Sequence, residues 1–278
     1  MSNFIRRVTA PKQPVERKVV LKTPDEIAIM REAGRVTARA HEAMKEALRP
    51  GVSTLELDKI AETVIRDHGA TPTFLNYAPS NHRPYPGSIN ASINDELVHG
   101  IPSANRILKE GDIISLDTAC LYNGFVGDAA YTYAIGEVRP AVRRLLEATE
   151  AALYVAIDLS VVGNRISDVA KATDRYASKL GYSVAHEYTG HGVGRKMHEA
   201  PQVPNWWPSK IKANQNWEDY DIQVGMTYAI EPMLIAGRSD LYEDADGWTV
   251  KTKDRSLCAH FEHTIAVTDG VAQILTLL

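Results

Sequence analysis

Residues 112–135 read DIISLDTACLYNGFVGDAAYTYAI. The first half, Asp112 to Tyr122, is rich in residues that favour strands. Asn123-Gly124 is a strong signal for a two-residue hairpin turn. From Phe125 to Ile135 the pattern alternates, with Tyr131 and Tyr133 two apart. The stretch therefore predicts two adjacent antiparallel strands. It puts Asp117 on one strand and Asp128 on the other, eleven residues apart around the turn. Both can reach one point.

Upstream of the hairpin lie two helical segments. Thr23-Pro24-Asp25-Glu26 is a helix start, with a Thr cap, Pro at the first helical position and acids in the first turn. Residues 24–48 hold Ile27, Met30, Ala33, Val36, Ala40, Met44 and Leu48 at helical spacing, and Pro50-Gly51 ends the run. Ser53-Thr54 opens a second helix, with Leu57, Ile60, Ala61, Val64 and Ile65 on one face, closed by Gly69.

The same grammar returns at a constant offset of 112 residues: Thr37 matches Thr149, Ala40 Ala152, Gly51 Gly163, Leu57 Val169, Lys59 Lys171 and Gly69 Gly181. A long helix over about 140–160 and a shorter one over about 167–180 are expected there, so the chain reads as an internally duplicated α/β unit. Downstream, Thr227–Pro232 and Glu262–Val267 read as further strands. The fold class is α+β: a curved, largely antiparallel sheet with helices on its outer face and carboxylates on its inner face.

Asp117, Asp128, His191, Glu231 and Glu262 each sit in an apolar or Gly-rich segment, where burying a lone charge is costly. Ionised carboxylates brought together repel one another unless cations neutralise them. His191 lies in Thr189-Gly-His-Gly-Val-Gly194, where glycines permit close backbone approach. Carboxylates with one imidazole suit hard or borderline divalent ions, and carboxylates that bridge two ions make a hydrolytic site.

Composition narrows the field. The chain has 278 residues, 44% hydrophobic and 24% charged, with a net charge of −4. That suits one large globular domain and carries no nucleic-acid footprint. Two cysteines, Cys120 and Cys258, are too few for a disulfide framework, so a reducing cytoplasm is expected. No apolar run is long enough to span a bilayer. Residues 1–22 form a short basic arm and residues 23–278 a single catalytic domain. The arm has no apolar stretch and Glu16 interrupts its cations, so it reads as a surface segment rather than a targeting peptide.

Several segments together resemble the motif set of type I methionine aminopeptidases. They are Ser92-Ile-Asn-Asp-Glu-Leu-Val-His99-Gly-Ile-Pro102, Leu116-Asp117 to Gly127-Asp128, and Gly190-His191-Gly-Val-Gly-Arg-Lys-Met-His198-Glu. Ala229-Ile-Glu231-Pro-Met233, Asp246-Gly-Trp248-Thr and Phe261-Glu262-His263-Thr264 complete the set. The resemblance runs from about Lys22 to the C-terminus and implies the two-fold "pita-bread" fold shared by creatinase and these aminopeptidases. It implies that Asp117, Asp128, His191, Glu231 and Glu262 hold two divalent ions, from among Co, Mn, Fe, Zn and Ni. It further implies removal of an N-terminal methionine that precedes a small second residue, by a metal-bridging hydroxide. Glu231 then also shuttles the proton, His198 hydrogen-bonds the scissile carbonyl and His99 contacts the next amide nitrogen. By family position Tyr85, Trp248, Met197 and the edge of His99 form the methionine pocket. A thioether gains from apolar and aromatic walls of that kind.

The substrates implied are nascent polypeptide N-termini, with a transient ribosome association through phosphate contacts of Arg6, Arg7, Lys12, Arg17, Lys18 and Lys22. No membrane, no specific nucleic acid and a monomer are expected. Two departures stand out: Met197 replaces a Phe found in many relatives before the second motif histidine, and Asn90 replaces a frequent Cys. Two loops, Ala78–Pro84 and Val203–Gln223, look longer than the common pattern. The second holds Trp206, Trp207 and Trp217, which either wall the cleft mouth or pack on the surface. A prolidase or aminopeptidase P would carry a large additional N-terminal domain, whereas about twenty residues precede the first helix here. A binding module on this fold would have lost metal ligands.

Overall fold

The computed structural model describes residues 18–79, 82–208 and 218–278. Arg6, Arg7, Lys12, Arg17 and Trp217 therefore lie outside the described residues. The first half runs α1 (Pro24–Ala47), α2 (Thr54–Asp67), β1 (Thr71–Pro72), β2 (Asn90–Ile93), β3 (Glu96–Val98), β4 (Ile113–Tyr122) and β5 (Phe125–Ala134). The second runs α3 (Pro140–Asp158), α4 (Ile166–Lys179), β6 (Ser183–Val184), β7 (Thr189–Gly192), β8 (Glu199–Pro204), β9 (Thr227–Ile230), β10 (Met233–Ile235), β11 (Leu241–Glu243), β12 (Val250–Thr252), β13 (Cys258–His260), β14 (Glu262–Ala266) and β15 (Gln273–Ile274).

Local chemistry explains the boundaries. Thr23 and Glu26 form a capping box at the start of α1, each accepting the other's backbone N–H, and Pro24 takes the first helical position. Ser53 caps α2 by accepting from the Glu56 amide. Asn123 and Gly124 both take positive φ, 46° and 81°, which a two-residue turn between twisted strands requires.

The 112-residue echo is geometric as well as textual. Thr37 Oγ1 donates to Ala33 O, and Thr149 Oγ1 donates to Leu145 O, each one turn back and fully buried. Gly51 and Gly163 sit at φ 92° and 100°, Gly69 and Gly181 at 74° and 83°.

One large sheet carries both halves. Its order is β1-β4-β5-β14-β9-β7-β8, with β2 also on β4 and β15 on β14, and its pairings are antiparallel. The helices cover the outer face. Behind the first half, Val36, Met44, Leu57 and Ile65 pack on Ile114 and Leu116; behind the second, Leu153, Ile157 and Val169 pack on Tyr228 and Ile265. Contact between α1 and β5 is backbone on backbone, since a Cβ on Gly127 would lie 2.5 Å from Gly34 N.

One expectation fails here. Lys22, counted among the arm's cations, is buried and paired with Glu199 rather than facing solvent. The Lys22 amide donates to Gly225 O at 2.7 Å, which pins this segment onto the domain, and the buried Glu199 carboxylate offsets the cost of enclosing the ammonium.

Candidate metal centre

Three neighbouring strands bring the carboxylates together by register. Ala130 on β5 stands opposite Asp117 on β4 and opposite Glu262 on β14. Directly paired residues share a face of the sheet, and so do residues two apart on a strand, so Asp117, Glu262 and Asp128 point to one side. β9 continues the sheet from β14, with His263 opposite Ile230, and Glu231 follows at its end. His191 comes from β7, whose Gly192 pairs with Tyr228 on β9.

Asp128, His191 and Glu262 each offer a ligand atom, and these atoms lie within 4.8 Å of one another. His191 Nε2 is 3.5 Å from Glu231 Oε1 and 3.9 Å from Asp128 Oδ2. Asp117 Oδ2 is held by Asn90 Nδ2 at 2.7 Å.

Electrostatics mark the cluster as incomplete when only protein atoms are counted. Burial raises the pKa of all four carboxylates. Mutual repulsion adds to the rise at Asp117, Asp128 and Glu262, while His191 offsets it at Glu231. Asp117 Oδ1 and Asp128 Oδ1 are buried with no hydrogen-bond partner, as is His260 Nε2. Buried acceptors of this kind are costly unless a ligand satisfies them. Four carboxylates with one imidazole, two of them holding orphaned oxygens, fit divalent cations.

A cavity of about 380 Å³ opens beside the carboxylates. The small sheet β11-β12-β3 forms its far side. His99 leaves β3 and Trp248 precedes β12, and the register Val250 to Val98 sets the two side by side. Their rings meet edge to face at 6.2 Å, and Tyr85 meets Trp248 the same way at 5.1 Å. Asp246 shapes the turn that presents Trp248, accepting from the amides of Trp248 and Thr249. Tyr85 turns its hydroxyl away from the cavity, donating to Ile89 O and Gly100 O. Met197 adds an apolar wall.

His198 stands between β7 and β8, its ring 4.2 Å from that of His191 and its Nδ1 3.2 Å from Tyr77 Oη. Its side chain is exposed toward the cavity, with the rings of His191 and Tyr77 against it. Desolvation by the cavity walls, with His191 and His99 nearby, holds its pKa well below the usual value. His99 is pushed down to about 4 by burial and by His260 and His82. Both imidazoles are therefore neutral near pH 7. His99 also holds φ at 62°, an uncommon conformation for a non-glycine residue and one concentrated at functional sites.

The residues expected from the sequence to bind metal, to act in catalysis or to wall the methionine pocket all line this cavity. Sequence reasoning missed His260, whose Nε2 is 3.6 Å from Glu231 Oε2. The available signal was its place two residues before Glu262. It also missed Tyr77, which contacts His198 only after the chain has folded. In the two loops expected to be longer, Pro79 and His82 reach the cavity, while Trp206 stacks on His186 at 4.4 Å and donates to its carbonyl.

The model of metallopeptidase family M24 matches residues 28–269. Methionine aminopeptidase 1 of Bacillus subtilis is 45% identical over 93% of this chain and 99% of its own length. Methionine aminopeptidase of Aquifex aeolicus is 44% identical over 93% and 98%. The crystal structure of the Thermotoga maritima methionine aminopeptidase superposes with a TM-score of 0.87 at 36% identity, covering 94% of this chain and all of that one. On the carboxylate cluster, the cavity and these relatives together, the chain belongs to metallopeptidase family M24, among its methionine aminopeptidases.

Proposed function

We propose that this chain is a metal-dependent aminopeptidase that removes the N-terminal methionine from polypeptides with a small second residue. The observation that carries the reading is one sheet face where Asp117, Asp128, Glu262, Glu231 and His191 converge beside a cavity walled by Tyr85, Trp248 and Met197. When bound, the divalent ions supply Lewis acidity, an acidified water and a docking point for the substrate's free amine.

The chain's own residues supply the rest. The methionine side chain lies against Trp248, Tyr85 and Met197, where dispersion and sulfur–aromatic contacts favour it. Water oxygen bonds to the scissile carbonyl carbon, and Glu231 takes the proton released. As the carbon–nitrogen bond breaks, Glu231 returns that proton to the leaving nitrogen. His198 is neutral; with Nδ1 accepting from Tyr77, its Nε2 carries the proton and donates to the carbonyl oxygen as charge grows there. Neutral His99 accepts from the amide N–H of the second residue. Free methionine and a shortened chain leave.

Nascent polypeptides in a reducing cytoplasm are the substrates in this reading. The buried free thiols of Cys120 and Cys258 are compatible with that compartment. Among the described residues no helix is long and apolar enough to cross a membrane. A transient ribosome contact through the arm's remaining cations belongs to the same reading, and co-sedimentation of a chain lacking residues 1–20 tests it. The activity test is methionine release from a Met-Ala-Ser peptide with added Co²⁺ or Mn²⁺. Release that needs the ion and disappears in Glu231→Ala is expected. A folded protein that releases nothing with any divalent ion overturns the assignment.

A further inference from the structure

We infer that Lys22 is a positioning residue for His198, acting through Glu199, so that the segment leading into α1 braces the loop that carries the catalytic imidazole. The inference rests on the aminopeptidase reading above. Lys22 is fixed at its backbone, where its amide donates to Gly225 O at 2.7 Å. Its ammonium donates to Val20 O at 3.0 Å and to Glu199 Oε2 at 2.5 Å. The two side chains keep only 3% and 8% of their surface. The other oxygen, Glu199 Oε1, accepts from the amide of Lys196 at 3.1 Å. One carboxylate thus joins residues 20–22 to both ends of the short run 196–199, and Met197 and His198 lie between those ends.

The surroundings leave this brace little freedom. A Cβ on Gly194 would sit 2.5 Å from Lys22 Cε and 2.6 Å from Glu199 Oε1, so the loop packs directly onto the ion pair. A second link, Arg195 Nη2 to Glu26 Oε1 at 3.1 Å, repeats the connection between the same two segments at the surface. There Arg195 keeps 65% of its side-chain surface, and solvent weakens the pair.

Stability alone accounts poorly for a buried lysine and glutamate. Desolvation of two charges offsets most of their attraction, and apolar replacements are often as stable. What the pair does supply is a fixed distance and direction. His198 must donate to an oxygen whose position is set by other residues, and a displacement near 1 Å at such a group costs rate steeply.

The test compares Lys22→Met/Glu199→Gln, Lys22→Arg and Arg195→Ala in the full chain. The double variant removes the ion pair without stranding a charge, and the amide oxygen introduced by Glu199→Gln can still accept from the Lys196 amide. Expected for the double variant is a kcat for Met-Ala-Ser lowered about tenfold with KM and Tm little changed, whereas Lys22→Arg, which keeps the ion pair, and Arg195→Ala retain most of the unmodified chain's kcat. In a His198→Ala background the same double substitution is expected to have no further effect. The ring resonances of His198, assigned by their loss in His198→Ala, should shift and broaden in the double variant.

An unchanged kcat with unmoved resonances overturns the inference. So does an equal loss in the His198→Ala background, or a double variant that no longer unfolds cooperatively, since the pair would then serve the fold at large. No methionine release by the unmodified chain counts against the aminopeptidase reading alone; the His198 resonances then decide the positioning.

Discussion

Asn90 shows how much one side chain contributes to the metal end of the site. Its amide donates to Asp117 Oδ2 at 2.7 Å, which leaves Oδ1 as the oxygen without a protein partner. Asn90 is itself placed from behind: Asp58 on α2 accepts from the amides of Ser88 and Ile89, the two residues before it. Groups that orient metal ligands typically carry a factor of about ten to a hundred in affinity. Asn90→Ala is therefore expected to weaken binding of a divalent ion about tenfold or more, read by calorimetric titration, while Tm in the presence of chelator barely moves. Equal affinities in the two proteins would refute the orienting role. At this scale the five proposed ligands were legible in the sequence because each stands in a short local context. The Asn90–Asp117 bond was not, because it depends on β2 pairing with β4. The Tyr77–His198 contact spans 121 residues and was equally hidden.

At the scale of elements, backbone meets backbone where α1 crosses β5. Gly127 faces Gly34, and a Cβ on Gly127 would meet Gly34 N at 2.5 Å and Ala33 C at 2.6 Å, both backbone atoms that cannot swing aside. Gly127→Ala is predicted to cost about 2 kcal/mol or more in urea unfolding, the usual range for forcing a methyl group into a filled interface. It should also lower the activity of the folded fraction, because Asp128 is the next residue. Wild-type stability in this variant would mean that helix and strand can separate freely. The helices and the hairpin were readable from periodicity, caps and the Asn123-Gly124 turn, since these act over a few residues. The glycine contact was unreadable, because a glycine in a strand has several causes and only packing selects among them.

For the whole molecule, pH is a sensitive probe. His41 on α1 is fully enclosed against the sheet, with Nε2 2.9 Å from Ala129 O and Nδ1 without a partner. Burial, with a smaller contribution from His263, holds its pKa down to about 4, below the usual 6.5. The unfolded chain therefore takes up a proton at a higher pH than the folded one. Stability from this group is complete above about 6.5 and is lost as pH falls from there toward 4, by up to about 3 kcal/mol. The metal-free carboxylate cluster has raised pKa values and runs the opposite way, so the comparison must be between two chains. The stability difference between wild type and His41→Gln should shrink between about pH 7.5 and pH 4.5 in denaturant melts. A difference independent of pH would show that His41 does not titrate there. The duplicated helical pairs, the antiparallel hairpin, the five proposed ligands and the resemblance to one reaction class could be read without a structure, because they are written in local spacing and in motifs whose chemistry is specific. Folding alone buries Lys22 against Glu199, sets His260 beside Glu231, and brings Asn90 and Tyr77 onto Asp117 and His198. Each of these contacts joins segments far apart in the chain, and burial and hydrogen bonding between such segments are settled only when the sheet closes and water leaves.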